Sequence, residues 1–382
     1  MRSLLITGAM LVTPLEERIT DVRLESDKIA QIGGGRPDSD FKEIDGSDCY
    51  LTPGLFDLQV NGGPGCDFWE ELSWEKIAAF SRRLLDRGLT SILPTFITGD
   101  LGRLKANRDF LKAQLGLERS GEKPLVRMPG IHFEGPCLSP QKSGVHPPQH
   151  LKALEVAVLK EFVDESCSLI TIAPELDPSF AAISYLQERG ILCSLGHSNA
   201  SFEEARAAFE RGVKLMTHTF NALPPMHHRQ PGAVAAALLD PNVSCCVIPD
   251  GLHLHPAMVE LIIKTKGVDK TIMVSDIASI GTSQGGLVGS SLILDQGVRN
   301  LVKWGACTFG QALQMSAYNP ARLLGLEDQI GQIKVGAFAD LILWDRKTLE
   351  IKEVIFNGLP LAHGDETHAL GTLLRSASKS EK

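Results

Sequence analysis

The sequence predicts an α/β protein that consists of a (β/α)8 TIM barrel and a small β-sandwich domain built from both chain termini. Two observations support this prediction. Short apolar runs alternate with helical segments through the middle of the chain, which is the pattern of parallel βα units. The two ends show strand-turn-strand patterns instead. We place the small domain at residues 1–53 and 327–370 and the barrel at residues 54–326.

The terminal segments predict the small domain. Near the start they read SLLITGAMLV, DVRLESDKIAQIG and KEIDGSDCYLTPG, and near the end GQIKVGAFADLILWD and EIKEVIFNGLPL. Gly331, Gly336 and Gly358 stand at the bends of the later segments. Because both β-rich ends flank a middle of different pattern, we expect them to pair in one domain. Residues 371–382 form a polar tail that we expect to be mobile.

Eight apolar runs predict the strands of the barrel, and helical segments lie between them. The runs are LFDLQV (55–60), SILPTFI (91–97), VRMPGIHF (126–133), SLITIAP (168–174), ILCSLG (191–196), KLMTHTF (214–220), SCCVIP (244–249) and TIMVSD (271–276). One helical segment begins at Ser201 with Glu204 three residues later, which is a capping-box pattern. An open doubly wound sheet shows the same alternation, but eight regular units favour the barrel.

Composition excludes several classes of protein. The chain has 38 Lys and Arg against 46 Asp and Glu, a net charge of −8, and it lacks a long basic run, which argues against nucleic-acid binding. No apolar run approaches the ~18–20 residues of a membrane helix. Gly8 and Pro14 interrupt the apolar N-terminus, so we do not interpret it as a signal peptide. The 8 Cys residues are scattered without a C-x-x-C motif, which predicts reduced thiols and a cytoplasmic protein.

Polar residues recur where the apolar runs stop, and this predicts the functional site. They are Asn61, Thr95, Glu134, Glu175, His197, His218, Asp250 and Asp276. In a barrel all carboxyl strand ends face one mouth, where catalytic groups collect. Glu134, His197 and His218 form a ligand set that suits one catalytic divalent ion, such as Zn²⁺, with Fe²⁺, Co²⁺ and Mn²⁺ as alternatives. Asp276 is suited to move a proton between water and a leaving group.

Each of these residues alone is also typical of a structural role, since a lone buried His usually satisfies a hydrogen bond. Two loops leave further alternatives open. THTFNALPPMHHRQPG follows strand six and contains Arg229, and PDGLHLHP follows strand seven and contains His253 and His255. These loops predict an anion-binding wall in which Arg229 and a His contact a phosphate. The alternatives are a solvated polar loop and, for His253 and His255, a second metal site.

Motifs along most of the chain resemble those of the N-acetylglucosamine-6-phosphate deacetylase family of the amidohydrolase superfamily. PGLFDLQVNGG, HFEGPCLSP, GHSNAS, THTFNALPP, DGLHLHP, VSD and GSSLILDQGVRN occur in the family's order, and the closing pattern G.I..G..ADL also matches. The resemblance implies a hydrolase of amino-sugar catabolism. Its reaction removes acetate from N-acetylglucosamine 6-phosphate and leaves glucosamine 6-phosphate.

The resemblance also assigns roles to particular residues. It implies that Glu134, His197 and His218 bind the metal, that Asp276 is the catalytic acid/base, and that His146 contacts the amide carbonyl and donates to the developing oxyanion. The implied substrate-binding positions are Val145, His146, Asn221, Ala222, Arg229, His253, Leu287, Val288 and Gly289. In the family the arginine comes from a neighbouring subunit, which implies a homodimer with Arg229 at the interface.

Two departures from the family change the expectations. Many amidohydrolases carry His-x-His at the end of strand one, whereas this chain has Gln59-Val60-Asn61. Because amides are weak ligands for transition metals, we expect one tightly held ion, with Gln59 in contact with a water or a weak second ion. The segment VSDIASIGTSQGGLVGSSL after the catalytic aspartate is shorter than in relatives. It adjoins the expected sugar pocket, so it bears on the identity of the sugar.

Three alternatives therefore accompany the predicted function. The first is a deacetylase of another N-acyl sugar phosphate, such as N-acetylgalactosamine 6-phosphate. The second is a different amidohydrolase that acts on a cyclic amide or an N-acyl amino acid. The third is a catalytically silent sugar-phosphate-binding protein on the same scaffold.

Overall fold

The structure is a computed structural model, and it describes residues 3–13, 16–34, 41–116, 125–279, 282–283, 286–287 and 289–361. The predicted tail at 371–382 and the end of the predicted small domain at 362–370 lie outside this range. Two sheets dominate the described residues, one from both ends of the chain and one from its middle. In the described part of the chain, every helix is too short or too polar to cross a membrane.

The sheet of the small domain joins the two ends of the chain. Its strands are β1 (Ser3–Val12), β2 (Glu17–Glu25), β3 (Lys28–Ile32), β4 (Lys42–Asp45) and β5 (Cys49–Pro53), followed much later by β18 (Leu341–Asp345), β19 (Ile351–Phe356) and β20 (Leu359–Pro360). The order is β20-β19-β18-β5-β1-β2-β3, with β4 beside β1. β18 lies antiparallel to β5. Buried Leu and Ile side chains of both segments share one core, including Ile6, Leu24, Leu341 and Ile355.

The middle of the chain forms eight parallel strands with helices between them. In chain order the elements are β6 (Leu55–Val60), β7 (Gly62–Gly63), β8 (Cys66–Asp67), α1 (Trp74–Leu85), β9 (Leu89–Ile97), α2 (Leu101–Lys112), β10 (Ile131–Glu134), α3 (Val156–Phe162), β11 (Cys167–Ile172), α4 (Ala181–Gln187), β12 (Leu192–Leu195), α5 (Phe202–Glu210), β13 (Leu215–Met216), α6 (Gly232–Leu239), β14 (Ser244–Val247), α7 (Pro256–Lys266), β15 (Thr271–Met273), β16 (Thr282–Ser283), β17 (Gly286–Leu287), α8 (Leu294–Lys303), α9 (Phe309–Leu313) and α10 (Asn319–Leu323). Together with the sheet of the termini, this confirms the predicted fold class.

Hydrogen bonds between the first and last strands bring the barrel close to closure. The sheet runs β15-β14-β13-β12-β11-β10-β9-β6. Across the seam, the Asn61 N–H donates to the Ile277 carbonyl at 2.9 Å and the Asp276 N–H donates to the Gln59 carbonyl at 3.0 Å. The Ser275 N–H donates to the buried carboxylate of Asp57. The end of the first strand is thereby fixed against the segment that follows the last strand.

The helix at Ser201 shows how local sequence sets an element. The Ser201 hydroxyl accepts from the Glu204 N–H at 3.2 Å, and the Glu204 carboxylate accepts from the Ser201 N–H at 2.8 Å. These two bonds satisfy N–H groups that a helix end otherwise leaves free. The predicted capping box is confirmed, and it begins α5 directly after the loop that carries His197.

Arg127 connects the barrel to the small domain. Its buried guanidinium donates to both carboxylate oxygens of Asp340, at 2.5 and 3.0 Å, and to the Asn357 side-chain oxygen at 2.5 Å. It also lies 3.8 Å from the ring centroid of Phe338. Asp340 directly precedes β18, so this ion pair ties the segment before β10 to the terminal sheet.

Replacing Arg127 by Met will lower the free energy of unfolding by about 3–5 kcal/mol, because the Asp340 carboxylate stays buried without its cation. Denaturant unfolding followed by circular dichroism measures the change. Arg206→Met is the control, since the Arg206–Glu210 pair is 62% exposed on both sides and such pairs contribute about 0–1 kcal/mol. A similar small loss in both variants would contradict the role given to Arg127.

Candidate active site

The structure places the four chemically capable residues at one mouth of the barrel. Glu134 is the last residue of β10, and His197 and His218 each follow their strand, β12 or β13, by two residues. Asp276 follows β15 by three residues. All four line one cavity of about 340 Å³. The sequence argument from strand ends therefore predicted which side chains meet.

Three side-chain atoms of the kind that ligate metals converge in this cavity. Oε1 of Glu134 lies 3.0 Å from Nε2 of His218 and 3.2 Å from Nε2 of His197, and the two Nε2 atoms are 3.1 Å apart. All three side chains are at least nine-tenths buried. Burial raises the pKa of Glu134, but the adjacent imidazoles of His197 and His218 hold it well below its usual range. The cluster therefore presents a carboxylate and two imidazoles in a dry site.

The chemistry of these donors fits a divalent metal ion. Nδ1 of His197 donates to the Lys142 carbonyl at 2.9 Å, which leaves Nε2 of that ring as a lone-pair donor. Nδ1 of His218 is buried without a hydrogen-bond partner among the described residues. A carboxylate and two imidazole nitrogens with an open position are typical of catalytic zinc sites and related ones. The residues present can therefore hold such an ion.

The backbone at these positions is strained. His197, His218 and Asp276 have φ angles of 47°, 25° and 52°, in the left-handed region that residues other than glycine rarely adopt. Ala222, which lines the same cavity, has a φ of 52°. Strain of this kind costs about 1–3 kcal/mol per residue and concentrates at functional sites.

His146 lies beside the cluster of Glu134, His197 and His218, and its hydrogen bonds differ from those of the other two histidines. Its Nε2 is 3.9 Å from Oε2 of Glu134, and its spacing to Glu134 and His197 also suits a ligand. However, the Thr98 backbone N–H points at Nδ1 of His146 at 3.2 Å. A backbone N–H can only donate, and the Thr98 hydroxyl, 2.8 Å away, can donate to the same lone pair, so this arrangement favours the tautomer with its proton on Nε2. Burial lowers the pKa of His146 to about 3, so the ring is a neutral donor that faces Glu134.

Asp276 is buried, and hydrogen bonds hold one of its two carboxylate oxygens. Its Oδ1 accepts from the side-chain nitrogens of Gln59 and Asn61. Burial, followed by the negative charge of Glu134, raises its pKa to about 6. Gln59, for which we predicted a water or weak metal contact, thus directs its side-chain nitrogen at this carboxylate.

The cavity brings together most of the predicted substrate-binding residues. It is lined by Asn61, Trp69, Ile97, Glu134, Gly144, Val145, His146, His197, His218, Asn221, Ala222, His253, Asp276, Ala278 and Gly289. Arg229 is exposed and does not line the cavity of its own chain. Leu287 ends β17, and Val288 lies outside the described residues. Trp69 and Ile97 were not predicted, and the only signal for Trp69 was an aromatic residue in a glycine-rich loop after strand one.

His253 is held by a carboxylate. Its Nδ1 donates to Oδ2 of Asp250 at 2.6 Å, while Oδ1 of Asp250 accepts from the backbone N–H groups of Leu252 and His253. Nε2 of His253 is left for a ligand. The ring nitrogen Nδ1 of His255 accepts from the Ala257 N–H at the start of α7. Among the described residues, Glu134, His146 and His197 have ligand atoms at metal-binding spacing, and no such group is found around His253 and His255.

Comparisons with known proteins match most of the chain. The amidohydrolase family model matches residues 50–361. The N-acetylglucosamine-6-phosphate deacetylase of Bacillus subtilis is 32% identical over 372 residues, 89% of this chain and 93% of the relative. The N-acetylgalactosamine-6-phosphate deacetylase of Escherichia coli O157:H7 is 30% identical, over 81% of this chain and 86% of the relative. A crystallised mutant deacetylase of Mycobacterium smegmatis, in complex with N-acetyl-D-glucosamine-6-phosphate, superposes with a TM-score of 0.82 at 25% identity, over 95% of this chain and all of that one.

Proposed function

Because the chain belongs to the amidohydrolase family, we propose that it is a metal-dependent amide hydrolase that converts N-acetylglucosamine 6-phosphate and water into glucosamine 6-phosphate and acetate. One observation carries the proposal: the Glu134, His197 and His218 cluster shares its cavity with the Asp276 carboxylate. That arrangement combines a metal-ligand set with a base in one dry pocket. The relatives that match most of the chain are named for this reaction or its galacto counterpart.

Glu134, His197 and His218 would hold one divalent ion per subunit, with zinc first and iron, cobalt or manganese as alternatives. When bound, such an ion acidifies a coordinated water and polarises the amide carbonyl. His146 is better suited to donate than to ligate, because the Thr98 N–H keeps its proton on Nε2. The two amide side chains at Gln59 and Asn61 favour a single ion, since amides are weak ligands for these metals.

Asp276 transfers the proton during the reaction, and His146 stabilises the negative charge that develops. Asp276 takes a proton from the attacking water, and the remaining hydroxyl bonds to the amide carbonyl carbon. His146 donates Nε2–H to the oxygen on which negative charge develops. The carbon–nitrogen bond then breaks, and Asp276 returns its proton to the nitrogen. One water thus supplies the hydroxyl of acetic acid and one hydrogen of the amine.

The sugar phosphate would bind in the same cavity. His253, fixed by Asp250, and the Asn221–Ala222 segment line the wall that suits an anion. Val145 and Gly289 line the cavity as well, and Leu287 and Val288 belong to the same proposed sugar-binding set. Binding energy from the phosphate positions the acetamide at the metal ligands.

We propose that the protein is a homodimer in which Arg229 reaches the cavity of the neighbouring copy. Arg229 is exposed on its own chain and lies close in sequence to Met226, which is 46% exposed. An interface there would bury an apolar side chain and supply a cation to an otherwise acidic protein. A cytoplasmic location is consistent with the eight free cysteines, seven of them buried.

Acetate release from N-acetylglucosamine 6-phosphate, N-acetylglucosamine and N-acetylgalactosamine 6-phosphate tests the proposal. Removing the phosphate will lower kcat/KM by about 10²-fold or more, because two charge-assisted hydrogen bonds are lost at ~1.5–3 kcal/mol each. If N-acetylgalactosamine 6-phosphate reacts faster, the proposed substrate changes to the one for which the E. coli relative is named. Equal rates with and without phosphate, or no acetate from any substrate with metal-loaded protein, would contradict it.

A further inference from the structure

The two hydrogen bonds to the Asp276 carboxylate fall on the same oxygen. Gln59 donates from Nε2 to Oδ1 at 3.0 Å, and Asn61 donates from Nδ2 to Oδ1 at 2.6 Å. Within the described part of the chain, no hydrogen bond is made to Oδ2. Gln59 is 1% exposed and Asn61 is 3% exposed, so solvent does not compete for these amides. The carboxylate, which lines the cavity, is therefore asymmetric: Oδ1 accepts two hydrogen bonds, and Oδ2 accepts none from the described residues.

Asn61 makes this contact at a cost to its own hydrogen bonding. Its side-chain oxygen is buried without a partner among the described residues. Such an unsatisfied acceptor is rare in folded proteins and normally has a specific reason. Turning the amide over would place that oxygen against the carboxylate and lose a charge-assisted bond. The orientation of Asn61 is therefore set by Asp276.

The backbone brings the same three residues together. Gln59 and Asn61 are two residues apart at the end of β6 and its continuation, so both side chains project toward the same side. The Asp276 N–H donates to the Gln59 carbonyl at 3.0 Å, and the Ser290 N–H donates to the Asp276 carbonyl at 2.8 Å. Asp276 is held in its left-handed conformation by these bonds on both sides. The seam of the barrel thus fixes the base and its two amide donors as one unit.

We propose that Gln59 and Asn61 are positioning residues for Asp276: they fix Oδ1 and leave Oδ2 as the only oxygen that exchanges a proton with water and the leaving amine. The inference rests on the proposed function, in which Asp276 is the base. Two neutral donors stabilise the carboxylate without adding metal ligands or charge. Without them the carboxylate can rotate, and a misplaced base loses much of its effect.

Near-isosteric variants that remove the donors test this inference. In Gln59→Met and Asn61→Leu, kcat will fall by about 10-fold to 100-fold each, the effect of losing one hydrogen bond to a charged group. KM and the metal content per chain will stay within about two-fold of wild type. Asn319→Leu is the matched control, since this buried amide donates to the Val268 and Thr271 carbonyls, accepts from Arg322 and does not line the cavity. It will lower stability and leave kcat unchanged.

A double-mutant cycle separates positioning from a general structural effect. If the amides act through Asp276, adding Asn61→Leu to Asp276→Asn will lower kcat by less than about two-fold further. The same loss in both backgrounds, a rise in KM alone, or a loss of metal would overturn the inference. Crystal structures of the two single variants give a readout independent of the substrate. A disordered or rotated Asp276 carboxylate supports the inference, and an unchanged single rotamer in both overturns it.

The proposed function can be contradicted independently of the inference about Gln59 and Asn61. It fails if wild-type protein releases no acetate or if Asp276→Asn turns over normally, whatever the amide variants do. The crystallographic result still decides whether Gln59 and Asn61 hold the carboxylate.

Discussion

Asp276→Asn will lower kcat for acetate release by about 10³-fold while the protein folds and binds its metal normally. The general acid/base contribution is typically 10²- to 10⁴-fold, and here one group acts in both directions. Asn has nearly the same shape as Asp but cannot take a proton from water. Purified variant and wild type are compared at saturating substrate, with metal content and circular dichroism measured on the same samples. Near-normal turnover in the variant would rule out the role of Asp276.

The pH dependence of the wild type gives a second measurement on the same residue. The base works only when ionised, so kcat/KM is lost as pH falls through the pKa of Asp276. Burial and the Glu134 charge raise that pKa to about 6, whereas a bound cation lowers it. The acid limb is therefore expected at or below pH 6. Residual activity of Asp276→Asn will lack this limb, and an unchanged limb would assign it to another group.

The strand pattern predicted the barrel well because each strand is an apolar run with a local boundary. Strand lengths were predicted less well where the chain leaves the sheet to build the site. The run at 214–220 forms a strand only over Leu215–Met216, and the run at 271–276 forms one only over Thr271–Met273. In both, the following segment includes a residue with positive φ, His218 or Asp276. Apolar patterning does not reveal such strain, because the conformation is imposed by tertiary contacts.

Contacts between distant residues could not be predicted from local sequence. Asn61 and Asp276 are 215 positions apart, and Arg127 and Asp340 are 213 apart. Because Asn61 and Asp276 follow predicted strands, the sequence placed both at one mouth of the barrel. Their hydrogen bond, however, depends on how the first and last strands of the barrel meet. The tautomer of His146 depends on its contacts with the backbone N–H and the hydroxyl of Thr98. The sequence therefore predicted which residues meet, and the structure adds which atom faces which.

Removing the ion or one ligand will abolish most of the activity. Dialysis against a chelator will lower kcat by about 10³-fold or more, because the acidified water and the polarised carbonyl together supply several kcal/mol. Zinc, iron, cobalt and manganese are then added back separately, and the metal that restores the highest rate at one equivalent is the best match to the site. The wild-type thermal midpoint will fall on chelation and recover with metal, since an ion that binds only the folded state stabilises it.

His218→Ala shows whether these effects arise at the proposed cluster. Its Nε2 lies 3.0 Å from Oε1 of Glu134 and 3.1 Å from Nε2 of His197, so its loss removes one of three converging ligand atoms. The variant will lose tight metal binding and will not recover when metal is added. His255→Ala is the control, because Nδ1 of that ring accepts from the Ala257 N–H at the start of α7, and this variant will keep one equivalent of metal per chain. Two equivalents in wild type, both required for turnover, would contradict the single-ion site, since the amides of Gln59 and Asn61 would then have to support a second ion.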